Sequence, residues 1–333
     1  MGRMSHHKGL PSIVGGVDVD STKTVVAPNT TFFGTAEFTL ALSRWFGHSH
    51  SQLALPVRGS GPRRTLYACQ TPARYCSRYV SLAPLGLCAS PGWIDHLERS
   101  TVERIVHCLA VLRTRRFIWN VRFDHEPLAT ALASLGLSLE RVPTRVVHLD
   151  KDYDDVFAGY SATTRNHVRR ARALGVKVRD AITSEDVQAY FRVHQRLVQQ
   201  EQARRGYGYI YPVELLLELL CHGSGRLLIA ECDGKVASGA MFLRDAGSVY
   251  YFHGASDREY SRFFPSCAVF DEAIRWACEI GAAFVNLTDS GGIASIERFK
   301  ASWGARRELN WKFEWSNPFW ARLSRVKERI RPT

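Results

Sequence analysis

Apolar residues recur along the chain at two spacings, and the alternation between them sets out its elements. At helical spacing, Phe38, Leu42, Trp45 and Phe46 share one side of a segment over Ala36–Phe46, with Thr35 as N-cap and Gly47 as stop. Short extended runs follow at Gln52–Arg58, Thr65–Thr71 and Tyr79–Leu87, then a helix over about Ile94–Leu112. A strand at Arg116–Phe123, a helix at Pro127–Leu135 and a strand at Glu140–Leu149 complete the first half.

The second half repeats this order. Thr183 and Asp186 form a capping box ahead of Val187, Tyr190, Phe191, His194, Leu197 and Val198 at helical spacing. Pro212 opens a Leu-rich helix that ends at Cys221. Strands over Leu227–Cys232 and Val236–Leu243 flank Asp233-Gly234, a strong type I′ hairpin signal. A strand from Ser248 to His253, a helix at Ser266–Ile280, a strand at Ala283–Thr288, a short helix at Ser295–Ala301 and a strand at Glu308–Trp315 finish it. Three strands, then helix, strand, helix, strand, occur twice. The expectation is a duplicated α/β unit with mixed, mostly antiparallel sheets flanked by helices. Its parts are a leader over residues 1–28, a first domain over 29–145, a second over 146–316 and a basic helix over 317–333.

Composition adds one fact that changes this picture. Of 333 residues, 44 are Lys or Arg and 32 are Asp or Glu, a net charge of +12. Two segments hold the excess, Ser161–Tyr207 at +6 and Arg298–Thr333 at +7. A localised positive field fits a polyanionic partner or substrate, and a solvated basic surface is the alternative. The eight cysteines include no C-x-x-C pair and several sit in apolar runs. Buried, reduced thiols in a cytoplasmic setting are expected, which argues against a cysteine-nucleophile hydrolase. The histidines show no metal-ligand spacing, so no metal is expected. No apolar run reaches the ~18 residues of a membrane span.

Several blocks together resemble the FemAB-like acyltransferases, a tandem GNAT-fold group that includes peptidoglycan aminoacyltransferases and cellulose-biosynthesis acetyltransferases. They are Arg165-Asn-His-Val-Arg-Arg-Ala171 with Gly175 and Val176, Arg204 to Gly206, Tyr250-Tyr-Phe-His-Gly-Ala255, and Phe299-Lys300-Ala-Ser-Trp303-Gly304. The resemblance covers about residues 145–315 and is weak over 30–140, where the first GNAT-like unit is degenerate. Many relatives carry Asp where this chain has Asn286.

The resemblance implies transfer of an acyl group to an amine acceptor, in cell-envelope or polysaccharide metabolism. Acyl-CoA is the preferred co-substrate and an aminoacyl-tRNA the alternative donor. The acceptor is a small molecule or a lipid- or nucleotide-linked amine. A non-catalytic protein binding RNA or a membrane surface is the competing class, with the basic tail as a peripheral contact. Lys300 is implied to face the oxygen that gains charge during transfer, with Phe299 shaping the acyl pocket. Asp289 and Tyr251 are candidates for moving the proton. Arg165, Arg169 and Arg172, at i, i+4 and i+7, suit phosphate or carboxylate, and Arg204 joins them as a substrate contact. Arg258, Arg262 and the helix start at Ser266 stand where simple GNAT enzymes use a Gly-rich loop for the coenzyme pyrophosphate.

Overall fold

The computed structural model describes residues 33, 35–46, 49–55, 64–73, 76–81, 87–88, 103, 107, 114–134, 137–205, 210–221, 223, 225–245 and 247–317. The leader, most of the helix expected at Ile94–Leu112, and the basic tail beyond residue 317 lie outside the described residues.

The first half contains α1 (Ala36–Phe46), β1 (Ser49–Leu55), β2 (Arg64–Ala73), β3 (Cys76–Ser81), β4 (Arg116–Val121), α2 (Glu126–Ala133) and β5 (Ser138–His148). The second contains α3 (Tyr153–Ala158), α4 (Ala162–Ala173), β6 (Lys177–Asp180), α5 (Ser184–Arg205), α6 (Val213–Cys221), β7 (Gly225–Cys232), β8 (Lys235–Asp245) and β9 (Ser248–Ser256). A 3-10 turn at Arg258–Phe263 leads to α7 (Pro265–Glu279), β10 (Phe284–Asn286), α8 (Ala294–Ala301) and β11 (Arg306–Ser316).

Local chemistry accounts for the boundaries. Thr183 Oγ1 accepts the Asp186 N–H at 3.1 Å, and Asp186 Oδ2 accepts the Thr183 N–H at 3.2 Å, which closes the capping box of α5. Asp233 and Gly234 both take positive φ, 51° and 72°, as a type I′ turn requires between β7 and β8.

The mixed, mostly antiparallel strands expected are present, and they join both halves in one eleven-stranded sheet of order β1-β2-β3-β4-β11-β5-β10-β9-β8-β7-β6. Two neighbouring pairs, β3 with β4 and β9 with β10, are parallel; the others are antiparallel. The last strand of each half crosses to the other half: β11 inserts beside β4, and β5 pairs with β10. The two exchanged strands also pair with each other, from Arg306 opposite Val146 to Glu314 opposite Ser138. Pro143 lies inside β5 opposite Leu309, where β10 no longer reaches, since β10 pairs only with Val146, Val147 and His148. The missing N–H is tolerated at such an unpaired edge.

Two cores result. One gathers Phe38, Leu42, Tyr190, Leu215, Leu219 and Tyr250 around α1, α5 and α6. The other gathers Val168, Val269, Phe270, Ile274, Leu287 and Trp303 around α4, α7 and α8. Among the described residues no helix is long and apolar enough to cross a membrane.

The first core encloses a polar chain whose proton positions follow from its ends. Tyr211 donates its backbone N–H to His194 Nε2 at 3.1 Å, so His194 carries its proton on Nδ1 and donates it to His253 Nε2, also at 3.1 Å. His253 then donates from Nδ1 to the Tyr190 hydroxyl at 2.6 Å. Burial pushes His194 down to about 4 and holds His253 well below the usual histidine range. The unfolded chain therefore binds protons that the folded one refuses, so stability falls as pH drops from about 6.5 toward 4. His194, 2% exposed, alone contributes on the order of 3 kcal/mol to that loss. Urea unfolding should show a decline of this size between pH 7 and pH 4.5, and a flat profile would contradict the neutral chain.

Candidate active site

The parallel contact between β9 and β10 is short. Val249 faces Val285 and Tyr250 faces Asn286; there β10 ends, while β9 continues to Ser256 along β8. Past Tyr250 the β10 side of β9 has no strand partner among the described residues, so its backbone amides and carbonyls face a crevice. A register shift between Met241 and Phe242 leaves Phe252 as an extra residue in β9, a bulge at the point where the strands part. The crevice has a volume of about 600 Å³. Tyr251, Phe270 and Phe299 form an apolar floor, Gly239 and Gly254 leave the β-strand wall bare, and Ser266 and Cys267 bring the start of α7 to its end.

α7 begins in an unusual way. Phe264, its N-cap, has φ 56° and ψ 40° and offers no capping side chain, and Pro265 follows at the first position. A left-handed aromatic residue is a strained choice, and such residues concentrate at functional sites. His167 of α4 stacks on the Phe264 ring at 4.1 Å, and the Arg170 guanidinium lies over it at 4.9 Å. Pro265 has no N–H, and the Cys267 and Ala268 amides donate to the Phe264 carbonyl at 3.0 and 3.3 Å, so the Ser266 amide is the one in this turn left to meet an anion at the end of the crevice. Burial raises the Cys267 thiol to about 11, so it is protonated and a poor nucleophile at neutral pH.

The residues singled out in the sequence divide into two groups. Tyr251, Phe299, Arg258 and Ser266 line the crevice. Lys300 does not. It is 3% exposed, and its ammonium donates to the Asp289 carbonyl at 2.7 Å and the Thr288 carbonyl at 3.3 Å. Burial lowers it to about 8, against the opposing pull of Asp289 and Glu297. It lies 5.7 Å from the Tyr251 ring centre, behind the crevice floor. Asp289 is exposed and lines a different hollow.

The arginines of α4 are used within the fold. Arg165 donates to the carbonyls of Ala158 and Tyr160, Arg169 lies over the Phe157 ring at 5.6 Å, and Arg172 binds Asp271 at 2.5 Å. Arg258 pairs with Glu201, and Arg262 lies over the Phe263 ring. Arg204 is exposed near the C-terminal end of α5. Helical spacing did orient α4 correctly, since Val168 and Ala171 are fully buried, but charge pattern gave no sign that carbonyls, rings and Asp271 would occupy its guanidiniums. The face that meets the crevice mouth carries His167 and Arg170 instead.

Lys300 holds a second strained position. Thr288, β-branched, has φ 63°. Its N–H donates to Asn286 Oδ1 at 2.8 Å, and that oxygen also accepts the Thr144 hydroxyl at 2.6 Å. Ser290 donates to Glu297, which Arg145 also holds. The glycine loop after β10 is therefore pinned at both ends. Tyr251, with burial as the main cause, keeps its hydroxyl protonated well above the usual tyrosine range. Among the described residues no group of three or more metal-ligating side chains occurs.

Residues 158–300 match the family model described as an acetyltransferase (GNAT) domain. Among solved structures, FemX superposes with a TM-score of 0.69 at 12% identity over 90% of this chain and 95% of its own. The chain has the FemAB-like GNAT fold. A conserved protein of unknown function from Bacteroides thetaiotaomicron shares this fold at a TM-score of 0.59 and 10% identity, covering 84% of this chain and 90% of its own. The C-terminal domain assigned to a lysylphosphatidylglycerol synthetase from Agrobacterium fabrum shares it at 0.54 and 12% identity, covering 79% and 85%. A comparison with curated protein sequences finds no match. Within the GNAT fold the tandem arrangement is continuous through the exchanged strands, and the matched domain contains the whole described crevice wall from α4 to α8.

Proposed function

We propose that the protein transfers an acyl group from an acyl-CoA thioester, bound between β9 and β10, to an amine acceptor. The observation that carries this reading is the parting of β9 and β10 beyond Tyr250, which opens an apolar crevice ending at the uncapped start of α7. An extended pantetheine arm would pair with the bare edge of β9, and phosphate would meet the first turn of α7 near Arg170 and Arg258. Backbone amides of the bulged segment would face the carbonyl oxygen as it gains charge. The Tyr251 hydroxyl, kept protonated by burial, would give its proton to the departing thiolate and take back the one that the acceptor nitrogen loses on forming the amide. Lys300 serves as a positioning residue in this scheme: it holds the Thr288–Asp289 carbonyls and, through them, the end of β10. FemX and the lysylphosphatidylglycerol synthetase domain as structural neighbours support a role in the cell envelope.

Titration with acetyl-CoA and longer acyl-CoA, followed by a thiol-release assay with a panel of amines, tests the reading. Binding without thiol release for any amine, or no binding, would count against it. Transfer from charged tRNA without any thiol release would select the alternative donor.

Gly254 gives a sharper check. A Cβ there would stand 2.7 Å from the Tyr251 hydroxyl oxygen. Gly254→Ala should displace the ring and weaken acyl-CoA binding by at least about tenfold, since overpacking costs ~1–3 kcal/mol. Unchanged affinity would place the coenzyme elsewhere.

A further inference from the structure

A second hollow, of about 420 Å³, lies over β4, β11 and β5, and it is lined by side chains from both halves. Asn120 of β4 and Asn310 of β11 form its floor; both are more than nine-tenths buried, at 9% and 7% exposure. The backbone fixes which way each amide points. Asn310 Oδ1 accepts the Phe123 N–H at 3.1 Å, so its NH2 group is left over. Asn120 Nδ2 donates to the Leu87 carbonyl at 3.2 Å, so its oxygen is left over. Neither remaining group has a hydrogen-bond partner among the described residues.

Both leftover groups open on the hollow rather than being sealed in the sheet, so a molecule seated there can complete them. Asn120 pairs across the sheet with Lys312, which makes Asn310 its diagonal neighbour, about 7 Å away. A donor and an acceptor at that separation bracket one planar secondary amide, whose C=O accepts from Asn310 and whose N–H donates to Asn120. The charges around them add a direction. Arg116 pairs with Glu314, and Lys312 pairs with Glu140 at 2.6 Å. Asp289, at the rim, makes no ion pair among the described residues and lies on the loop that Lys300 clamps behind the crevice floor.

We infer that this hollow is a binding site for an amide-bearing amine, with Asn120 and Asn310 reading the amide and Asp289 receiving the ammonium end. Asp289 would hold that amine on the loop whose backbone Lys300 clamps. Naming the ligand as the acyl acceptor rests on the proposed transferase reading; the binding itself does not.

The test uses glycyl-glycinamide, its analogue with an ester oxygen in place of the central N–H, and propylamine, each titrated into the full chain by calorimetry. The dipeptide amide should bind saturably, the ester analogue about tenfold more weakly, and propylamine more weakly still. Asn310→Asp retains the oxygen that accepts from Phe123 and removes the NH2 donor, so it should abolish binding of the dipeptide amide. In the wild-type protein the side-chain NH2 resonances of Asn120 and Asn310 should shift on titration, which is independent of how the variant folds. No saturable binding, equal binding of amide and ester, or unshifted resonances would overturn the site. Acyl-CoA titration of the same samples separates the two readings. Amide binding without acyl-CoA binding upholds the hollow and removes the transferase proposal, and the converse result removes only the hollow.

Discussion

Replacing Lys300 by methionine is expected to lower acyl-transfer turnover by two orders of magnitude or more while leaving the protein folded. The ammonium donates to two carbonyls, and one of them belongs to Thr288, held at φ 63°. Hydrogen bonds from a charged donor are each worth about 1.5–3 kcal/mol, so their loss exceeds the ~2.7 kcal/mol that a hundredfold in rate represents. Without them the left-handed residue relaxes and the end of β10 shifts against the crevice. Amide exchange over residues 287–293 should accelerate in step. The same residue leaves a signature in stability. Its folded value of about 8 lies below the 10.5 of an unfolded lysine. Between those values the unfolded chain binds more protons, so stability rises with pH by on the order of 3 kcal/mol, and burial of the ammonium is a cost below pH 8. Lys300→Met should remove that rise. Full turnover, or a pH profile unchanged by the substitution, would show that the clamp has no bearing on the crevice.

Trp303→Ala should produce the largest loss of stability of any single truncation in the second half, about 3–5 kcal/mol. Its ring is fully buried, edge-on to Tyr160 at 4.9 Å and stacked on Phe270 at 5.6 Å. The flanking backbone fastens the same junction: Ser161 donates its N–H to the Ser302 carbonyl at 2.8 Å. At Gly304, φ is 71° and an added Cβ would stand 2.8 Å from the Gly159 carbonyl oxygen. The motif Phe-Lys-x-x-Trp-Gly is thus a packing knot joining α8 to the α3–α4 turn and α7, with its lysine turned to the loop. Denaturant unfolding reads the effect directly; a loss below about 1 kcal/mol would mean that the cavity collapses and the knot is dispensable.

Much of this fold is legible in the residues because its signals are local. Helix α1, the Thr183–Asp186 box and the Asp233-Gly234 turn each depend on neighbours within a few positions, and the structure places all three where the pattern does. Pairing across the chain is different. Alternation in β11 says which of its side chains are buried, as with Phe313, yet it is equally compatible with β5 alone or with insertion beside β4. The strained residues were illegible for a related reason. Phe264 adopts positive φ against its intrinsic preference under contacts from His167 and Arg170, far away in sequence; Thr288 does so with a local bond to Asn286 and a clamp from Lys300 on the next helix. The arginines of α4 show the limit on chemistry: spacing found their helix, but their partners came from the α3–α4 turn, a ring and α7.

The exchange of β5 and β11 also constrains the order in which the molecule assembles. During synthesis the first half emerges with β4 lacking the neighbour that residues 306–316 will provide, some 185 positions later in the chain. Closing so long a loop is slow, so an apolar strand edge stays open until β11 has been made. Nascent chains stalled before β11 should be captured by chaperones and proteases in a way that stalling after it would not produce.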